Sequence, residues 1–166
     1  MRSSKPALLS IALLCFSLIG AALYLQLVKN MLPCPLCVIQ RYLFIFIGIF
    51  CLLAASAPAG LQKIMSALAA LTSLGGIGVA AHHVYILANP QLSCGIDPLE
   101  TGLNKIFLAN WWPTLFRADG LCDTPYEPTL GLSIPAWALL WFGIFGLGLL
   151  AVLFSRKKPG MFGKLR

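Results

Sequence analysis

Apolar residues run almost unbroken from Pro6 to Val28, Val38 to Ala57, Ile64 to Ala88 and Pro135 to Phe154. A helix needs roughly 20 apolar residues to cross about 30 Å of hydrocarbon, and each run reaches that length. The pattern predicts an all-α integral membrane protein, a four-helix transmembrane bundle forming one domain over residues 1–166. Two polar breaks, at about 29–37 and 89–133, become loops on one side, and the break from Pro58 to Lys63 is a minimal turn on the other. Within the longer loop, Asn104 to Arg117 is apolar yet too short to span. Trp111 and Trp112 stand side by side there and Pro113 interrupts the run, which predicts a short helix in the interface plane, where indole rings are favoured. A loop packed on the outer helix ends is the alternative.

Composition sharpens this picture. Hydrophobic residues make up 59% of the 166 positions and charged ones 10%, with a mean hydropathy of +0.87, so no soluble core is left over. The first run follows Arg2 and Lys5 but exceeds the roughly 7 to 15 apolar residues of a signal peptide, and it is read as an uncleaved span. Lys and Arg gather on the cytoplasmic side of short loops. Arg2, Lys5, Lys63, Arg156, Lys157, Lys158, Lys164 and Arg166 fall on one side of the four-span arrangement. Lys29, Arg41, Lys105, Arg117 and all five acids fall on the other. Both termini are therefore expected in the cytoplasm. The net charge of +7 reflects this bias and gives no reason to expect nucleic-acid binding. The Gly-rich stretches at Gly75, Gly76, Gly78 and at Gly143, Gly146, Gly148 read as small faces where helices approach closely.

The six cysteines divide by this topology. Cys15 and Cys51 lie within spans and read as small packing residues. Cys34, Cys37, Cys94 and Cys122 lie in the two outer loops, and an even set of four on an oxidising side suggests disulfides. Cys34-Pro35-Leu36-Cys37 enters the second span at its N-terminus, where unpaired N–H groups and the helix dipole stabilise a thiolate. Pro35 suits the first helical turn, where a missing N–H leaves no bond unmade. Arg41 follows Cys37 by four residues and shares its face if the helix runs from there. A guanidinium so placed favours thiolate and can donate to a reduced carbonyl oxygen. Snorkelling to headgroups is the plainer reading of Arg41. Gln26, and His82 or His83, can add polar contacts to the same cavity or serve only in helix packing. For Cys94 and Cys122, an exchangeable disulfide, a structural staple and a zinc site of all four outer thiols stay open.

Taken together, these residues resemble the bacterial disulfide bond formation protein B (DsbB) family. The resemblance covers nearly the whole chain: four spans, C-x-x-C with Arg41 four residues on, and a second cysteine pair in the second outer loop. Gln26 eight residues before Cys34, His83 in a His-Val-Tyr segment, and Gly131 to Trp137 leading into the last span also match. Gln40 departs from members that carry Glu before the arginine, and His82 beside His83 leaves the histidine assignment open.

The resemblance implies an inner-membrane enzyme that reoxidises the periplasmic, thioredoxin-fold dithiol oxidase DsbA and passes the electrons to membrane ubiquinone or menaquinone. It implies redox-active disulfides Cys34-Cys37 and Cys94-Cys122, with Arg41, His83 and Gln26 around the quinone. Reduced DsbA would attack Cys94, Cys122 would attack Cys34, and Cys37 would leave as the thiolate that reduces quinone. Such chemistry needs no metal. A zinc-stapled structural protein and a small transporter are the competing classes, and the transporter lacks any acidic residue within a span.

Overall fold

The computed structural model describes residues 4–89, 98–120 and 131–154. Its described residues form seven helices: α1 (Ser4–Lys29), α2 (Pro35–Ser56), α3 (Ala59–Ala88), α4 (Pro98–Asn104), α5 (Phe107–Trp111), α6 (Pro113–Phe116) and α7 (Ile134–Phe154). The four long ones are each long and apolar enough to cross a membrane, and the chain is a multi-pass membrane protein with the expected all-α bundle.

Helix ends follow local chemistry. Cys34 is the N-cap of α2: its backbone is extended and its sulfur accepts from the Cys37 N–H at 3.3 Å, taking the place of a capping oxygen. With Pro35 in the first turn, α2 starts three residues before the apolar run does. At its other end Ala57 stops α2 and Pro58 caps α3, so the connection shrinks to two residues. Gln62 donates to the Ser4 hydroxyl at 2.9 Å and ties the start of α3 to the start of α1.

Helix α2 packs on both α1 and α3, and α7 closes on α3. The core is a column of rings and small residues. Phe44 stacks on Phe142 with centroids 4.1 Å apart, and Phe145 meets Phe44 edge-on. Gly76 is required here, because a Cβ would collide with the Phe142 ring. Ser73 donates to the Phe142 carbonyl at 2.6 Å, so its hydroxyl is satisfied within the dry interior. Leu13, Leu71, Leu147 and Phe154 point outward, a surface that only lipid suits.

The described residues between α3 and α7 form three short helices where one was expected. Pro113 breaks the run after Trp112, and α5 and α6 turn separately. Trp111 is 72% exposed while Ala109, Leu115 and Phe116 are buried, so the segment rests one face on the bundle and turns its indoles outward. Asn104 closes it into a loop: its side chain donates to the Ala118 carbonyl and accepts from the Ala118 N–H, both at 2.9 Å.

Candidate functional site

Among the described residues, three of the five buried polar or charged side chains, Gln40, Arg41 and His83, gather at the end of the bundle where α2 begins. Cys34 and Cys37 are free thiols with Sγ atoms 2.9 Å apart, against about 2.05 Å in a disulfide. Small side-chain rotations therefore separate the dithiol from the bonded pair. Cys34 donates to Cys37, and that hydrogen bond together with its burial pushes the Cys34 thiol well above the ordinary cysteine range. Cys37 is the more accessible of the two.

His83 reaches this pair from α3. It is 3% exposed, and its Nε2 lies 3.6 Å from Cys34 Sγ. Its Nδ1 lies 3.4 Å from the Gln40 amide nitrogen. An amide nitrogen only donates, so in this orientation Nδ1 accepts and the neutral ring carries its proton on Nε2, facing the sulfur. His82 is exposed, and of the two histidines it is His83 that meets the thiol pair.

Arg41 faces protein. It is 6% exposed and its Nη1 donates to the carbonyls of Leu115 at 3.2 Å and Thr114 at 3.4 Å, groups that a four-residue helix leaves unpaired. The snorkelling reading is set aside by that burial. Its guanidinium interacts electrostatically with both Cys37 and Cys34. Next to it Tyr42 stacks on Phe116 at 4.7 Å, so α6 is held to α2 by a ring pair and a guanidinium.

Gln26 stands apart from this cluster. It makes no hydrogen bond to Arg41 or His83, and its Oε1 is buried with no partner among the described residues. Cys94 and Cys122 lie outside the described residues. What the structure does place is the chain just before Cys122: the N–H groups of Asp119 and Gly120 both donate to the Pro33 carbonyl at 3.1 Å. Gly120 fits there because it has no Cβ, which would strike the Leu32 carbonyl. The second loop is thus fastened to the residue preceding Cys34.

Three contributors escaped the sequence reading. Gln40 holds His83, the Thr114 and Leu115 carbonyls hold Arg41, and Pro33 holds the second loop. Only Gln40 carried a signal, as the residue that departs from the pattern beside Arg41. Backbone carbonyls carry none, because every residue has one.

Comparison with known proteins points the same way. Residues 4–152 match the family described as Disulfide bond formation protein DsbB. A Disulfide bond formation protein B from Herminiimonas arsenicoxydans is 55% identical over 157 residues, covering 95% of this chain and 99% of that one. Its namesake from Cupriavidus necator is 50% identical over 156 residues, covering 94% and 96%. Disulfide bond formation protein B 1 of Pseudomonas putida is 49% identical over 144 residues, covering 86% and 85%.

Proposed function

The chain belongs to the DsbB family of disulfide bond formation proteins, and from that premise we propose that it is a thiol:quinone oxidoreductase of the bacterial inner membrane, with both termini in the cytoplasm. Its reductant is a periplasmic DsbA-like oxidase of thioredoxin fold, and its electron acceptor is a membrane quinone, ubiquinone or menaquinone.

Reduced DsbA attacks Cys94 of the Cys94-Cys122 disulfide, and Cys122 leaves as a thiolate. Cys122 then attacks Cys34 of the Cys34-Cys37 disulfide, and Cys37 leaves as a thiolate. The second DsbA thiol resolves the first mixed disulfide, releasing oxidised DsbA and freeing Cys94. Cys94 attacks Cys122 of the Cys122-Cys34 mixed disulfide, closing Cys94-Cys122 again and leaving two electrons and two protons on the Cys34-Cys37 pair. The pair closes again as it reduces one quinone to quinol, with Cys37 the sulfur that meets the ring.

The observation that carries this reading is the contact set around Cys34 and Cys37. Two thiols 2.9 Å apart open the helix that carries the buried Arg41 guanidinium four residues on, with the other loop bonded to Pro33. Arg41 would donate to the oxygen that gains charge as the quinone is reduced. Gln26, whose carboxamide oxygen is buried without a partner among the described residues, would accept from the quinol hydroxyl. His83 holds its N–H toward Cys34, where it would stabilise the thiolate that forms when Cys34 is displaced.

The deciding experiment follows quinone reduction by ultraviolet absorbance, with catalytic amounts of the purified chain in detergent and reduced DsbA as donor. Turnover that disappears on replacing any one of Cys34, Cys37, Cys94 or Cys122 by serine supports the relay. Turnover that survives any of these replacements overturns it.

A further inference from the structure

The reduced site has the donor set of a metal centre. Cys34 Sγ, Cys37 Sγ and a ring nitrogen of His83 all lie within 4.8 Å of one another, and among the described residues they are the one such group of three. Two thiolates and an imidazole are a zinc ligand set that leaves a fourth position open. At zinc–sulfur and zinc–nitrogen lengths of about 2.3 and 2.0–2.1 Å, tetrahedral geometry sets the S–S separation at about 3.8 Å and S–N at about 3.6 Å. The Cys34 Sγ to His83 Nε2 distance is already 3.6 Å. The two sulfurs, now 2.9 Å apart, need only spread, and Cys37 sits on the more accessible side.

We propose that the Cys34-Cys37 dithiol and His83 bind one zinc ion, which locks the pair in its reduced state and blocks electron transfer to quinone. Binding displaces two thiol protons and transfers no electrons, so the product is a neutral zinc dithiolate with imidazole as third ligand. That neutrality matters because the Arg41 guanidinium stands close by, held to the Thr114 and Leu115 carbonyls. Zinc on Nε2 moves the ring proton to Nδ1. Gln40 accommodates the change by a half-turn of its amide, which presents an oxygen to Nδ1 in place of the nitrogen. The disulfide form offers neither thiolate, so only the reduced pair holds the ion. The blocking consequence rests on the quinone reaction proposed above; the binding does not.

The test uses the full chain in detergent with Cys94→Ser and Cys122→Ser, reduced, freed of reductant and titrated anaerobically with zinc against a chromophoric chelator. One zinc per chain is expected, lost when Cys34 and Cys37 are oxidised and lost in Cys34→Ser. His83→Gln should weaken binding at least tenfold, and Gln40→Leu about tenfold, the usual effect of removing a partner that orients a ligating histidine. Cobalt(II) checks the coordination directly: thiolate charge-transfer bands with tetrahedral ligand-field bands are expected, and the latter should change in His83→Gln. Equal zinc uptake by the oxidised chain overturns the site. So does unchanged affinity in a His83→Gln protein that still closes its Cys34-Cys37 disulfide. In the unsubstituted chain, zinc bound without inhibiting quinone reduction overturns the blocking role alone, and inhibition reversed by chelator supports it.

Discussion

His83 lies against Cys34, with Nε2 3.6 Å from the sulfur, and makes its other ring contact with Gln40 rather than with Arg41. The two charged or chargeable side chains expected around one quinone thus attend different atoms. His83 contacts the Cys34 sulfur, whereas Arg41 interacts electrostatically with both sulfurs, Cys37 ahead of Cys34.

This division separates two phenotypes. His83→Ala is expected to slow the exchange that delivers electrons to Cys34 by about tenfold to a hundredfold, because a charge-assisted hydrogen bond contributes roughly 1.5–3 kcal/mol. Quinone KM should stay within about twofold. Stopped-flow mixing with reduced DsbA, set beside steady-state quinone titration, checks both. A large rise in KM with unchanged exchange would return His83 to the quinone.

Arg41→Ala is expected to raise the apparent quinone KM at least tenfold, since the proposed role of this buried guanidinium is to donate to the developing oxyanion. It also takes away the anchor of α6, so Arg41→Lys is the necessary companion. Lysine keeps the charge but not the planar fork, and should restore less than half of the lost affinity. An unchanged KM in both variants contradicts this role.

The reduced pair should titrate unevenly. Cys34 keeps its proton to unusually high pH because it donates to Cys37 and is buried. Raising the pH past the ordinary thiol value of about 8.5 should therefore leave Cys34 slow to alkylate. Cys37, the more accessible residue of the two, is expected to react first. Mass spectrometry of the anaerobically alkylated chain reads both sites at once. Faster labelling of Cys34 than of Cys37 near neutral pH would contradict the assignment.

How much of this was legible beforehand depends on the kind of interaction. Span length and the Lys and Arg bias are summed over many residues, so four helices and their order emerge from apolar runs alone. The thiol pair and Arg41 were visible because helical spacing places Cys37 and Arg41 on one face. What escaped is what depends on tertiary approach. The pairing of His83 with Cys34 joins residues 49 apart, and Arg41 binds carbonyls 73 and 74 positions away. Pro35 in the first turn of α2 was legible from its missing N–H, whereas the Cys34 sulfur as N-cap was not. The interfacial segment was expected as one helix, since its apolar run hides the breaks that Trp112 and Pro113 make.

Two adjacent glycines of α3 offer a packing test. A Cβ on Gly75 meets open space, whereas one on Gly76 meets the Phe142 ring. Gly75→Ala should be neutral or stabilise the helix by about 0.5–1 kcal/mol. Gly76→Ala should destabilise by about 1–3 kcal/mol, because overpacking forces Phe142 and its stacking partner Phe44 to move. Thermal unfolding of both variants in the same detergent compares them, and equal midpoints would refute the tight α3–α7 contact.

The bonds from Asp119 and Gly120 to the Pro33 carbonyl give the second loop a fixed point one residue before Cys34. Cys122 follows Gly120 by two residues, so this fastening bears on how often its thiol finds Cys34. Gly120→Ala puts a methyl group against the Leu32 carbonyl, a backbone atom that cannot rotate away. Transfer from the second loop to Cys34 should then fall tenfold to a hundredfold, about what a 1 Å misplacement brings. Quinone reduction by a Cys34-Cys37 pair reduced directly with a small dithiol should be spared, since Cys37 and Arg41 are untouched. Measuring both routes in one variant isolates the fastening. Loss of both together would mean that the substitution disturbs the site itself, and loss of neither would mean that the loop finds Cys34 without this anchor.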